Sequence, residues 1–250
     1  DAPGREDELA EKYVRAAQRV LSLVSTPHGA GPGYELDTRL RPSGSHGLLV
    51  VSLDSFARYH GLTREGTPDE ASEERPQAAD WERQALVKAR ACAGDVELGR
   101  KVVALAAHVA YERDAPDAAA MNHLRMRMER ELGKEGPRRY DVKLGRGGIV
   151  DVEWLQMKYG TDPRVRTTDT VTGIGALEAC GYLDASLAAV LREGYAMLRR
   201  LEQALRVVHG TSASFIEEGA PGLAALARRM GVRDGANTPS GTAAEALLER

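Results

Sequence analysis

The stretch YELDTRLRPSG, Tyr34 to Gly44, places an acid, then an acid, then two arginines at alternate positions. Read with a period of two, Glu35, Asp37, Arg39 and Arg41 fall on one side. Tyr34, Leu36, Leu40 and Pro42 fall on the other, with Thr38 among them. That alternation is the pattern of a strand with one buried face, on which same-side neighbours lie about 7 Å apart. A carboxylate beside two guanidinium groups suits a metal-bound polyphosphate: carboxylates hold the metal, and arginines grip phosphate oxygens with a planar fork. A solvated strand face of mixed charge is the other reading of the same residues.

Two further stretches carry candidate chemistry. Trp81 to Arg90, WERQALVKAR, offers Lys88 and Arg90 beside an apolar side made of Trp81, Ala85, Leu86, Ala89 and Cys92. Its spacing alone describes an amphipathic surface helix. The run RYDVKL, Arg139 to Leu144, leads into Gly145-Arg146-Gly147-Gly148 and then Asp151 and Glu153. Glycines ahead of a helix start can cradle phosphate. The run LGRGGIVD nevertheless matches neither the P-loop nor the dinucleotide-binding pattern, so a tight strand-to-helix turn explains it equally well. Asp151 and Glu153, two residues apart on a helix, do not share a face. The six histidines show no metal-ligand spacing, and no serine has a visible His/Asp partnership.

Composition bounds what these residues can serve. The chain has 250 residues, 42% of them hydrophobic but only 5% aromatic, so Leu, Val and Ala must fill its core. Lys and Arg total 34 against 37 Asp and Glu, a balance that argues against bulk nucleic-acid binding. Cys92 and Cys180 form no Cys-x-x-Cys pair, which argues against a structural zinc or a disulfide framework. No apolar run approaches the length of a membrane span, and the N-terminal residues lack a signal-peptide stretch. A cytoplasmic protein with reduced thiols is expected.

The elements that must position these residues follow from periodicity. Helices are expected over Glu6–Val24, Asp54–His60, Trp81–Cys92, Asp95–Arg113, Pro116–Leu132, from about Gly145–Gly148 through Asp151 and Glu153 to Tyr159, and over Asp169–Cys180, Leu183–His209, Pro221–Met230 and Thr242–Leu248. Strands are expected at Tyr34–Pro42 and Gly47–Leu53, paired as a hairpin, and at Arg139–Leu144. The residues Gly61–Ala79 read as an exposed loop. The fold class is α+β, mostly α: a small sheet-containing region over residues 1–160, followed by a helical bundle over 161–250.

Taken in order, GYELDTRLRPSGSHGLLVVSLDSFARY, DWERQALVKARACAGD and RYDVKLGRGGIVDVEW resemble the signature segments of glutamine-synthetase adenylyltransferase, a bacterial enzyme also called glutamate-ammonia-ligase adenylyltransferase. The resemblance runs from about Glu11 to Leu205. It implies a nucleotidyltransferase domain of the polymerase β type, here partial, followed by helices. It implies transfer of AMP from ATP to a tyrosine of glutamine synthetase, or phosphorolytic removal of that AMP, under PII-type signal proteins, with Mg2+ as cofactor and with neither nucleic acid nor membrane as partner. The wording RPSG-x-x-G-L-L-V and the MRMEREL helix resemble the adenylylating half. On this resemblance Asp37 is a metal ligand and the catalytic acceptor of the tyrosine proton. Arg39, Arg41, Lys88, Arg90 and Lys143 are nucleotide contacts, and Asp151 and Glu153 are supports. The family's first two carboxylates come from a G-S-x…S-D-x-D segment that is not found here, so the chain alone is expected to be inactive. The alternatives are a non-catalytic docking module for glutamine synthetase or a PII protein, and another polymerase β-type transferase such as one that uridylylates a signalling protein.

Overall fold

The computed structural model describes residues 3–29, 31, 33–63, 65–67, 78, 80–112, 118–133, 135–210 and 213–232. They fall in two compact units, Asp1–Arg113 and Asp114–Arg250. The class is α+β and mostly α: nine helices and one two-stranded sheet are present among the described residues. The expected helix at Thr242–Leu248 and most of the Gly61–Ala79 loop lie outside them.

In the first unit, α1 spans Pro3–Ser25, α2 Leu53–Tyr59, α3 Asp80–Leu86 and α4 Val96–Tyr111. Short polar side chains set the helix starts. Ser52 accepts the amide of Ser55 at the head of α2, and Asp95 accepts that of Leu98 at 2.7 Å at the head of α4. Ala57, Leu62, Leu105 and Val109 form the core, with Leu53, Phe56 and Leu86 packed against it. The apolar stripe of α1 is not part of that core: Leu9, Tyr13 and Val20 are exposed. Helix α3 stops at Leu86, short of the expected Cys92.

The expected hairpin is absent. Tyr34–Pro42 and Gly47–Leu53 form no strand, and a single 3-10 turn, Gly44–His46, lies between them. Local bonds compete with a ladder here. Asp37 turns back onto the amide of Arg39 at 3.0 Å, and Ser43 adopts a left-handed φ of 61°. Alternation in sequence measures which side chains are compatible with a pleat, whereas a strand also needs an adjacent backbone to bond.

In the second unit, α5 spans Ala118–Glu131, β1 Arg139–Asp141, α6 Ile149–Tyr159, α7 Thr170–Ala179, α8 Ala185–His209, β2 Phe215–Glu217 and α9 Leu223–Arg229. The strand expected at Arg139–Leu144 ends at Asp141, and its antiparallel partner β2 lies between the expected helices Leu183–His209 and Pro221–Met230, where no strand is expected. Their register pairs Tyr140 with Ile216. Ile216 and Val142 join Leu201, Leu205 and Leu226 in one core, where α8 meets α9. A second core gathers Ile149, Val152, Ile174, Leu177 and Tyr195 between α6, α7 and α8.

Candidate active-site elements

Asp37 sits in an exposed turn. Arg39 donates from Nε to Asp37 Oδ1 at 2.9 Å and from its terminal nitrogen to Oδ2 at 2.7 Å, and its amide adds a third bond to Oδ1. The hydrogen bonds and charge of Asp37 hold the Arg39 guanidinium above its ordinary pKa. Arg41 points back into its own loop. Its guanidinium donates to the Thr38 carbonyl at 2.6 Å, to Thr38 Oγ1 at 2.9 Å and to the Gly47 carbonyl at 3.3 Å. Asp37 and Arg39 are thus brought together, while Arg41 staples residues 38–47 into one compact loop.

The WER segment splits its polar groups between two tasks. Glu82 accepts the Tyr59 hydroxyl at 2.9 Å; burial first, and then this bond, raises the tyrosine pKa. Buried Arg83 donates to the Ala110 carbonyl at 3.3 Å, tying α3 to the end of α4. Lys88 is half-buried just past α3, and Arg90 is exposed.

Lys143, Asp151 and Glu153 belong to the second unit. The glycine turn between β1 and α6 is closed on itself. Gly145 donates to the Asp141 carbonyl at 2.8 Å, Gly147 to Asp151 Oδ2 at 2.8 Å, and Gly148 to the Gly145 carbonyl at 2.9 Å. The Arg146 amide reaches Glu135 at 3.4 Å. With these amides bonded within the protein, the turn itself is no phosphate cradle. Gly147 needs its freedom, at φ 74°. Asp151 supports this turn, and Glu153 accepts the Tyr195 hydroxyl at 3.1 Å, linking α6 to α8. Lys143 is exposed, and its ammonium has no ion pair among the described residues.

Arg125 on α5 is a partner that the sequence does not single out. It binds Asp151 through Nε and a terminal nitrogen, and donates to the Gly145 carbonyl at 2.7 Å. Burial works against its charge, but Asp151, Glu129 and Glu135 more than compensate and hold its pKa above the usual value. Its only sequence signal is an arginine one step from Met126 on a polar helix.

The residues described do not by themselves fit a bound metal ion. Both oxygens of Asp37 face Arg39, and no group of three or more His, Cys, Asp or Glu is placed to hold an ion among them. No helix among them is long and apolar enough to cross a membrane.

The family model described as glutamate-ammonia ligase adenylyltransferase matches residues 3–104. A second, described as GlnD PII-uridylyltransferase, matches residues 118–249. Curated relatives bridge the two. A bifunctional glutamine synthetase adenylyltransferase/adenylyl-removing enzyme of Cutibacterium acnes is 33% identical over 95% of this chain and 23% of its own length. Proteins of the same name from Mycobacterium avium, 32% identical over 84% of this chain and 20% of their own, and from Methylococcus capsulatus, 36% over 74% and 19%, are also similar. The chain therefore spans about a fifth of the length of these relatives. Similarity that runs through both units to proteins of one name places the chain in the glutamate-ammonia ligase adenylyltransferase family.

Proposed function

We propose that the chain is part of an enzyme that transfers AMP from ATP to a tyrosine of glutamine synthetase, with removal of that AMP as the related reaction. The observation that carries this reading is the similarity across 95% of the chain to an enzyme whose name states both activities. In the proposal Asp37 takes the proton of the target tyrosine and contributes one carboxylate to a magnesium site. The remaining ligands come from outside the described residues. Arg39 holds Asp37 until substrate displaces it. Lys88 and Arg90 are nucleotide contacts of the first unit, and Lys143 is a nucleotide contact of the second. Asp151 and Glu153 act as supports. A PII-type signal protein as regulator, a cytoplasmic location, and a nucleotidyltransferase-type region over residues 1–160 followed by a helical bundle over 161–250 complete the proposal.

A second reading, uridylyl transfer to a signal protein, is favoured by the family match over residues 118–249. It ranks lower because the relatives that cover both units share the adenylyltransferase name.

The test is Asp37→Asn in the protein at its natural length. AMP transfer is expected to fall by at least about a hundredfold, the scale of losing a general base, with the far-ultraviolet circular dichroism unchanged. A rate equal to wild type removes Asp37 from the reaction.

A further inference from the structure

Lysine binds phosphate as a point charge on a flexible stem, so the protein positions its backbone more firmly than its ammonium. Around Lys143 that backbone is tightly held. Its amide donates to Asp141 Oδ1 at 3.0 Å, and its carbonyl accepts from Val150 at 3.2 Å. The turn that follows is fastened from outside by Arg125, the one buried residue on α5 at 8% exposed. The arginine fork spans the Gly145 carbonyl and the Asp151 carboxylate, and Asp151 in turn holds the Gly147 amide.

Asp151, Glu129 and Glu135 all act on Arg125, and Arg146 lies 3.7 Å from Glu129. Without Arg125, these three carboxylates beside the turn lose a guanidinium that they share, and the added negative charge repels a polyphosphate.

We propose that Arg125 is a positioning residue. It clamps the Lys143–Gly148 turn and neutralises the acids around it, so that the Lys143 ammonium is presented to the polyphosphate of the nucleotide. This rests on the reading of Lys143 as a nucleotide contact. Arg125 itself touches no substrate.

The experiment uses the protein at its natural length. The rate of Lys143 acylation is read by mass spectrometry with and without MgATP, beside steady-state kinetics. In the wild type MgATP is expected to slow Lys143 labelling. In Arg125→Met that protection falls, and KM for MgATP rises about tenfold to a hundredfold, the scale of a misplaced contact, with kcat changed less. Arg125→Lys restores charge without the fork and falls between the two. Asp151→Asn breaks the clamp from α6 and moves KM the same way, which separates the effect from a failure of α5 to fold. Wild-type protection and KM in Arg125→Met overturn the proposal and leave Lys143 in place. Absence of protection in the wild type overturns the role of Lys143 and the positioning role together, while the Asp37→Asn result still judges the transfer itself.

Discussion

Gly173 lies on α7 where that helix passes the buried carboxamide of Gln156 on α6. Gln156 donates to the Thr167 carbonyl at 2.9 Å and to the Asp169 carbonyl at 3.3 Å, while Thr170 donates back to its oxygen. A Cβ at Gly173 would come within 2.5 Å of Gln156 Nε2. Gly173→Ala is therefore expected to lower stability by about 1–3 kcal/mol through overpacking, although alanine is the better helix former; denaturant unfolding checks it. Asp162 offers a charge experiment away from any proposed site. Side-chain and backbone bonds from Arg164, with a further bond from Tyr182, hold its carboxyl well below the ordinary range. A depressed folded pKa means that the contribution to stability is present above the unfolded value of about 3.9 and is lost as pH falls towards the folded one. Asp162→Asn should melt lower than wild type at pH 6, and the gap should narrow steadily between pH 4 and pH 2. A gap that stays constant over that window denies Asp162 its role in stability.

At the scale of elements, capping explains why several helix starts are legible in the sequence. Asp95, Asp169 and Asp184 stand ahead of periodic apolar runs, and each accepts the amide three residues on. Asp184 heads α8, the 25-residue helix that contributes to both cores of its unit. Asp184→Ala is expected to cost about 0.5–2 kcal/mol, read as a lower melting temperature. The strands are less legible. Tyr34–Leu40 alternates well, yet its short-range bonds from Asp37 and Arg41 prevail over a ladder. Conversely, Phe215–Glu217 is too short to show a period, and pairing with Arg139–Asp141 makes it a strand. The site follows the same division. The Asp37–Arg39 pair is visible in sequence because both partners lie within three residues. The clamp on Asp151 is not, because Arg125 lies 26 residues away and only folding brings the two together.

At the scale of the whole molecule, transfer of an adenylyl group needs more negative charge at the metal than one side chain supplies. Magnesium in phosphoryl transfer is held by carboxylates together with substrate phosphates, and its catalytic value lies in aligning the attacking and leaving oxygens. Asp37 is the one carboxylate proposed for that work, and among the described residues no cluster of acids stands ready to share an ion with it. Its two oxygens instead accept from Arg39, a pairing that compensates the charge of an exposed acid. The chain also spans 23% of the Cutibacterium acnes relative, whose name carries both activities. Incubated with glutamine synthetase and MgATP, the 250-residue chain is therefore expected to leave the intact mass of the synthetase unchanged. The Cutibacterium acnes relative at its natural length, run beside it, should add adenylyl groups. Should the chain by itself add them, acids within these residues must complete the metal site. Arg39 would then be the side chain that yields, since its guanidinium holds the two Asp37 oxygens that a metal would take.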